Sequence, residues 1–232
     1  MDIKKNLPDG FEVIVDEWGA ASHGFYNTEE CPALMFREKS DYAAYFGKMI
    51  SAFVSENIPV SKMLICLSGQ HEMTTDFSGF RNFFTLNFIK KPIYNAFVVS
   101  SKLGDNLLAF DGERENMSVL PTSDGKGRVA VMLSYASENF DEELPDVSET
   151  LSFMGITGKR LVRVWCIDKL NTNPYELAIR EKIGKEPTEE QVSRLREEGL
   201  LKPVCEFEQN FDENQSVVVD FTDNALVMVE IV

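Results

Sequence analysis

Few side chains in this sequence could do chemistry beyond that of ordinary surface charge. There are two histidines, His23 and His71, and four cysteines, Cys31, Cys66, Cys166 and Cys205, all far apart. No CxxC or paired His spacing occurs, so neither a metal site nor a cofactor is expected. Cys66 and Cys166 lie inside apolar runs, where burial keeps a thiol protonated, which argues against a Cys66–His71 nucleophile pair. Carboxylates remain. Glu17 closes the run FEVIVDEW (residues 11–18), a β-rich stretch that ends in charge and enters a loop of Gly, Ala, Ser and Asn. The run predicts a strand pointing a carboxylate out of its C-terminal end; by spacing alone, Glu17 reads as a solvated strand-end charge. Asp16 falls on the opposite face by the two-residue period and reads as a structural or surface charge. Glu72 sits beside His71 in the polar loop SGQHEMTTD (residues 68–76).

The elements that must carry these residues follow from periodicity. Tyr42, Tyr45, Phe46, Met49, Ile50, Phe53 and Val54 recur at spacings of three and four. They predict an amphipathic helix, capped at Ser40 or Asp41 and stopped by Asn57 and Pro59. Residues 62–67 (KMLICL) are apolar on both faces, the pattern of a parallel strand covered on both sides. Strand, helix and strand make a right-handed βαβ unit. Pro92 opens a second helix running to Lys102, with Tyr94, Phe97, Val98 and Leu103 on one face and Gly104 ending it.

Beyond this point the period changes from helical to alternating. Residues 128–136, 161–168 and 225–232 predict antiparallel strands, with weaker ones near 107–110, 147–153, 203–209 and 216–221. Several short strands at such spacing suggest a sandwich. One helix interrupts them: Thr188 with Gln191 forms a capping box, Glu189 and Glu190 complement the helix dipole, and Gly199 closes it. Trp165 shares a face with Leu161 and Ile167 and reads as core.

Composition bounds the partners. With 232 residues, 44% of them hydrophobic, the chain can bury a core. Its net charge of −15 divides as −3 over residues 1–110 and −12 over 111–232, hinting at two different regions. An acidic surface of this size repels phosphate backbones and anionic lipid, so neither nucleic acid nor membrane is expected as a partner. The first ten residues hold no apolar run fit for a signal peptide, and no stretch approaches the roughly 18 apolar residues of a spanning helix. As written, the chain is expected in the cytoplasm; an upstream segment would change that.

Three segments together resemble the family 39 glycoside hydrolases, which include β-xylosidases and α-L-iduronidases. In residues 166–203, C-I-D-K-L-N-T-N-P-Y-E-L, then Gly184, then P-T-E-E-Q-V-S-R-L-R-E-E-G-L-L is similar to the family's I-D-x-x-x-S-N-x-Y, Gly and P-T-x-x-Q-x-x-x-L. Residues 83–97, F-F-T-L-N-F-I-K-K-P-I-Y-N-A-F, resemble the segment entering the last barrel helix. Residues 13–18, V-I-V-D-E-W, resemble the strand that carries the catalytic nucleophile in a T-E-W/F context.

The resemblance implies an α/β region followed by an all-β one. Residues 1–105 would hold the last two strand-helix units of a (β/α)8 TIM barrel, and 106–232 a β-sandwich domain. It implies Glu17 as the nucleophile, in agreement with the placement of reactive groups at C-terminal strand ends in barrels. It implies Glu72 as a contact to sugar hydroxyls, with His71 assisting and His23 lining the same mouth, although Ile65 or Cys66 stands where the family has Trp. Asp168, Asn173, Pro174 and Tyr175 are matched but read structurally, as an Asx turn and a loop proline. Retaining hydrolysis needs a second carboxyl roughly 5–5.5 Å away. The family carries its acid/base in an Asn-Glu pair after the fourth barrel strand. This sequence contains no Asn-Glu dipeptide, nor room before Phe11 for six further units of about 30 residues each.

The expectation is therefore the C-terminal part of a retaining glycosidase that cleaves β-linked, xyloside-like glycosides through a covalent glycosyl-enzyme, inactive by itself. Its partners would be a carbohydrate substrate and either the missing N-terminal barrel half or further copies of itself. The alternative is a non-catalytic carbohydrate-binding or structural remnant.

Overall fold

The computed structural model describes residues 11–20, 26–65, 73–140 and 142–232. Strands β1 (Val13–Trp18) and β2 (Val60–Ile65) lie parallel, joined through a 3-10 helix (Pro32–Glu38) and helix α1 (Ser40–Ser55). This is the expected βαβ unit. In α1 the stripe Tyr42, Ala43 and Phe46 is buried and Tyr45, Met49 and Ile50 pack at its margin. Its N-cap is Lys39, one residue before the expected position, which leaves Asp41 in the first turn. At the other end Asn57 takes a positive φ of 49°, a conformation open to Asn, and Pro59 cannot continue the helix.

β2 departs from its sequence pattern. The run was expected to be covered on both faces, yet Leu64 is 58% exposed, and Ile14 of β1, which pairs with Lys62, is 51% exposed. Val15 and Met63 pack on the core shared with α1, so the helices cover one face of the strand pair and leave the other open. Among the described residues, α2 (Pro92–Ser100) completes this part. Pro92 occupies the first turn, and Ile93, Ala96 and Val99 are buried.

The remaining chain is mostly antiparallel. β3 (Asn106–Leu107), β4 (Met117–Ser123), β5 (Val129–Tyr135), β10 (Ala225–Ile231), β7 (Lys159–Ile167) and β8 (Pro203–Asn210) form one six-stranded sheet in that spatial order. β6 (Val147–Ser152) and β9 (Ser216–Phe221) pair in a separate sheet. Every residue of β10 is buried, because the large sheet is covered twice. On one side Val131, Leu133, Val164, Cys166, Val227 and Val229 meet Val217, Val219 and Phe221 of the small sheet. On the other, Met132, Trp165, Ile167, Leu226 and Met228 meet Tyr42, Phe46, Ile93 and Val99 of the helices. Two periods of alternation therefore serve two cores.

Three elements escaped sequence reading, the 3-10 helix Pro32–Glu38 among them. β4 contains Pro121, which weakens any strand signal. It is tolerated between the two-residue β3 and β5, where its carbonyl accepts from Leu108 N at 2.9 Å. α3 (Pro174–Arg180) begins where a loop proline was expected: Pro174 stands at its first turn and Asn173 caps it, accepting from Glu176 N at 3.3 Å. Helix α4 (Glu189–Glu198) carries the expected capping box between Thr188 and Gln191. Among the described residues no helix is long and apolar enough to cross a membrane.

Candidate active site

The C-terminal end of β1 is fixed by its last residue. Trp18 is buried, stacks on Tyr42 with centroids 5.3 Å apart, and meets Phe46 edge-on at 5.3 Å. Between Val15 and Trp18 the register with β2 shifts: Val15 pairs with Met63 and Trp18 with Ile65, three steps against two. One extra residue in a strand is a bulge, which breaks the two-residue alternation and re-aims side chains. Val15 and Trp18, three apart, both touch the helix-side core, while Asp16 and Glu17 between them are both exposed. The expectation that these two carboxylates occupy opposite faces assumed strict alternation, and the bulge removes that assumption. Glu17 stands exposed at the C-terminal end of a parallel strand, where the sequence put it.

His23, His71 and Glu72, together with Cys66, fall outside the described residues, so their positions relative to Glu17 are not part of this geometry. Asp168 and its neighbours make a closed turn. Asp168 Oδ1 accepts from Leu170 N and Asn171 N at 2.7 Å each, and its carbonyl accepts from Asn173 Nδ2 at 3.0 Å. These groups are spent on the chain itself, the structural role expected of them. Trp165 is core, with Lys102 Nζ 4.5 Å from its ring centroid. Burial, then the nearby Asp168, pushes the Cys166 thiol up, so it is no thiolate nucleophile.

The segments leaving the same end of the strand pair are held from below by charged groups that sequence reading missed. Arg37, Glu38 and Lys91 are almost wholly buried. Glu38 and Lys91 form an ion pair of 2.8 Å across 53 residues of sequence. No local spacing signals a contact of that separation; only the Lys-Pro pair at 91–92 marked the position at all. From the other side, α3 and α4 back the 73–91 segment through Ile89, Ala178 and Leu195. Asn87 is tied in place by Asp76, which accepts from its N and Nδ2 at 2.8 and 2.7 Å, and by Arg196, which donates to its carbonyl.

Asp41 offers a test of this packing. It is buried at the start of α1, and its pKa is pushed from 3.8 up to about 6, first by burial and then by Asp223 and Glu176, against the opposing pull of Lys39 and a backbone hydrogen bond. A folded-state pKa above the unfolded value means that the native state holds the proton more tightly. The site is therefore most favourable below about pH 4, loses stability as pH rises to about 6, and stays penalised above, by up to about 3 kcal/mol for two pKa units. Asp41→Asn is expected to raise unfolding free energy by about 1–3 kcal/mol at pH 7.5 and to leave it nearly unchanged at pH 3.5. Urea unfolding at both values checks this, and an equal effect at both would contradict it.

Residues 11–217 match the family described as Glycosyl hydrolases family 39. No curated protein matches the sequence. Among solved structures, a monomeric β-xylosidase from Caulobacter crescentus CB15 aligns at a TM-score of 0.73 and 17% identity, over 96% of this chain and 45% of that one. A GH39 enzyme from Xanthomonas axonopodis pv. citri aligns at 0.70 and 15%, over 96% and 45%. A bacterial orthologue of human α-L-iduronidase aligns at 0.70 and 20%, over 96% and 42%. At these identities the likeness concerns the fold. The chain spans less than half the length of each of these structures.

Proposed function

The chain belongs to glycosyl hydrolase family 39, and from that premise we propose that it is the nucleophile-bearing C-terminal part of a retaining glycosidase acting on β-linked, xyloside-like glycosides. Residues 1–105 correspond in this reading to the last two strand-helix units of a (β/α)8 barrel, and 106–232 to the β-sandwich that follows. The observation that carries the reading is Glu17: an exposed carboxylate beside a bulge, at the C-terminal end of a parallel strand, in a segment matched to the family. Reactive groups of barrel enzymes gather at that end. Two further observations support partial status. The chain covers under half of its solved relatives, and the face of β1 and β2 turned away from the helices leaves Ile14 and Leu64 exposed.

The chemistry follows from the carboxyl pair that retaining hydrolysis requires. Glu17 attacks the anomeric carbon and forms the glycosyl-enzyme ester as the glycosidic bond breaks, while an acid on the remaining barrel protonates the leaving oxygen. The same group then takes a proton from water as the water oxygen attacks the anomeric carbon and the ester bond to Glu17 breaks, which releases the sugar with net retention. Glu72, His71 and His23 hold sugar hydroxyls in this reading. The carbohydrate needs no cofactor, and the remaining barrel half is the partner that completes the site.

The test is expression of residues 1–232 alone and together with the coding sequence upstream of it, each assayed on a panel of aryl glycosides. Turnover of an aryl β-xyloside is expected only when both parts are present. Hydrolysis by the chain alone, or none by the completed protein, would refute the proposal.

A further inference from the structure

Glu38 and Lys91 are 1% and 2% exposed, and Lys91 Nζ lies 2.8 Å from Glu38 Oε1. That oxygen also accepts from Gly79 N at 2.7 Å, and Lys91 Nζ also donates to Phe80 O at 2.8 Å. Arg37 Nη1 donates to Gly79 O at 3.1 Å. Three buried side chains, two from the end of the 3-10 helix and one from the start of α2, thus grip consecutive peptide groups in the segment after β2. Gly79 has φ +77°, and a Cβ there would come within 2.5 Å of Thr28 Cγ2. Thr28 N and Oγ1 in turn donate to Ser78 O at 2.9 and 3.3 Å. The segments 26–39 and 73–91, which follow the two strands at the end where Glu17 stands, are thereby joined as one body.

The ion pair is an expensive way to make that joint. Burial lowers the pKa of Lys91, with Glu38 pulling it back up. Among the described residues, Glu38 Oε2 is buried with no hydrogen-bond partner. Removing charges from water commonly costs more than their attraction returns, and apolar residues of similar volume often serve stability as well or better. What apolar side chains cannot do is hold the N–H of Gly79 and the carbonyl of Phe80.

Resting on the glycosidase reading above, we propose that Glu38 and Lys91 are positioning residues, which fix through Gly79 and Phe80 the two segments that follow the strands at the end where Glu17 stands, and so set the sugar's place without touching it. A displacement of about 1 Å near a reacting centre can cost about a hundredfold in rate.

The experiment uses the active glycosidase completed as above. Glu38→Leu/Lys91→Met removes both charges at similar volume; Glu38→Gln keeps the shape and an acceptor for Gly79 N. Each is read by thermal midpoint, by kcat and KM on an aryl β-xyloside, and by amide exchange at Gly79 and Thr28. The double variant is expected to keep its midpoint within a few degrees, to lose roughly 30- to 100-fold in kcat, and to exchange faster at both amides. Glu38→Gln is expected to lose about fivefold in kcat with an unchanged midpoint. Activity within twofold of the parent in a folded double variant overturns the proposal, as do parent-like exchange rates. Should the double variant fail to fold, parent-like kcat and exchange in Glu38→Gln overturn it equally. A parent protein that hydrolyses no glycoside removes the functional reading instead, and amide exchange alone then decides whether the pair is a clamp.

Discussion

Glu17→Gln in the completed protein is expected to lower kcat/KM on an aryl β-xyloside by three orders of magnitude or more, about 4 kcal/mol of transition-state stabilisation. The amide is close in size to the carboxylate but cannot form the ester intermediate. Because Glu17 is exposed at the strand end and contributes nothing to the Trp18, Tyr42 and Phe46 cluster, folding should be untouched. The thermal midpoint and circular dichroism of the variant should match the parent. Near-normal turnover in a folded Glu17→Gln protein would remove this residue from the mechanism.

The second large effect concerns the core that joins the helices to the six-stranded sheet. Phe46 is 1% exposed, stacks on Phe97 with centroids 4.4 Å apart, and meets Trp18 edge-on. Phe46→Ala should cost about 3–5 kcal/mol, the usual loss for a buried aromatic truncated in a packed interior. Against a total of about 5–15 kcal/mol, that is a third or more of the stability of an ordinary domain. The two tryptophans make the test informative, because Trp18 on β1 and Trp165 on β7 belong to the same core cluster. Their fluorescence and the far-ultraviolet circular dichroism should report one coincident urea transition, shifted to lower urea in Phe46→Ala. Two separated transitions, with only one moved by the substitution, would show that the strand-helix part and the sheet unfold independently.

How much of this was legible in the sequence depended on whether the cause was local. The α1 stripe, the Pro92 start of α2, the Thr188–Gln191 capping box and the long strands β5, β7 and β10 all follow from short-range periodicity and capping chemistry, and they stand where expected. β4 was hidden by Pro121, whose tolerance depends on the brevity of its neighbour β3. Pro174 was read as a loop proline because an Asx turn and a helix N-cap begin with the same residue types, and only the following turn tells them apart. The open face around Ile14 and Leu64 could not be foreseen from apolar residues alone, since an apolar strand looks the same whether or not its second face is covered.

The site divides in the same way. Glu17 at the strand end was legible from the β-rich run and from the family segment around it. The bulge beside it was not, because it depends on how β1 pairs with β2, and register lies outside one strand's own sequence. The Glu38–Lys91 pair was equally hidden: its partners lie 53 residues apart and meet only once the 3-10 helix and α2 have packed.

The most direct test of the central claim is to trap the covalent intermediate. The completed protein, incubated with an aryl 2-deoxy-2-fluoro-β-xyloside, should be inactivated with one sugar attached per chain, and peptide mass spectrometry should place it on Glu17. A label on any other carboxylate, or turnover without a trapped sugar, would contradict the assignment of this strand end as the seat of the nucleophile.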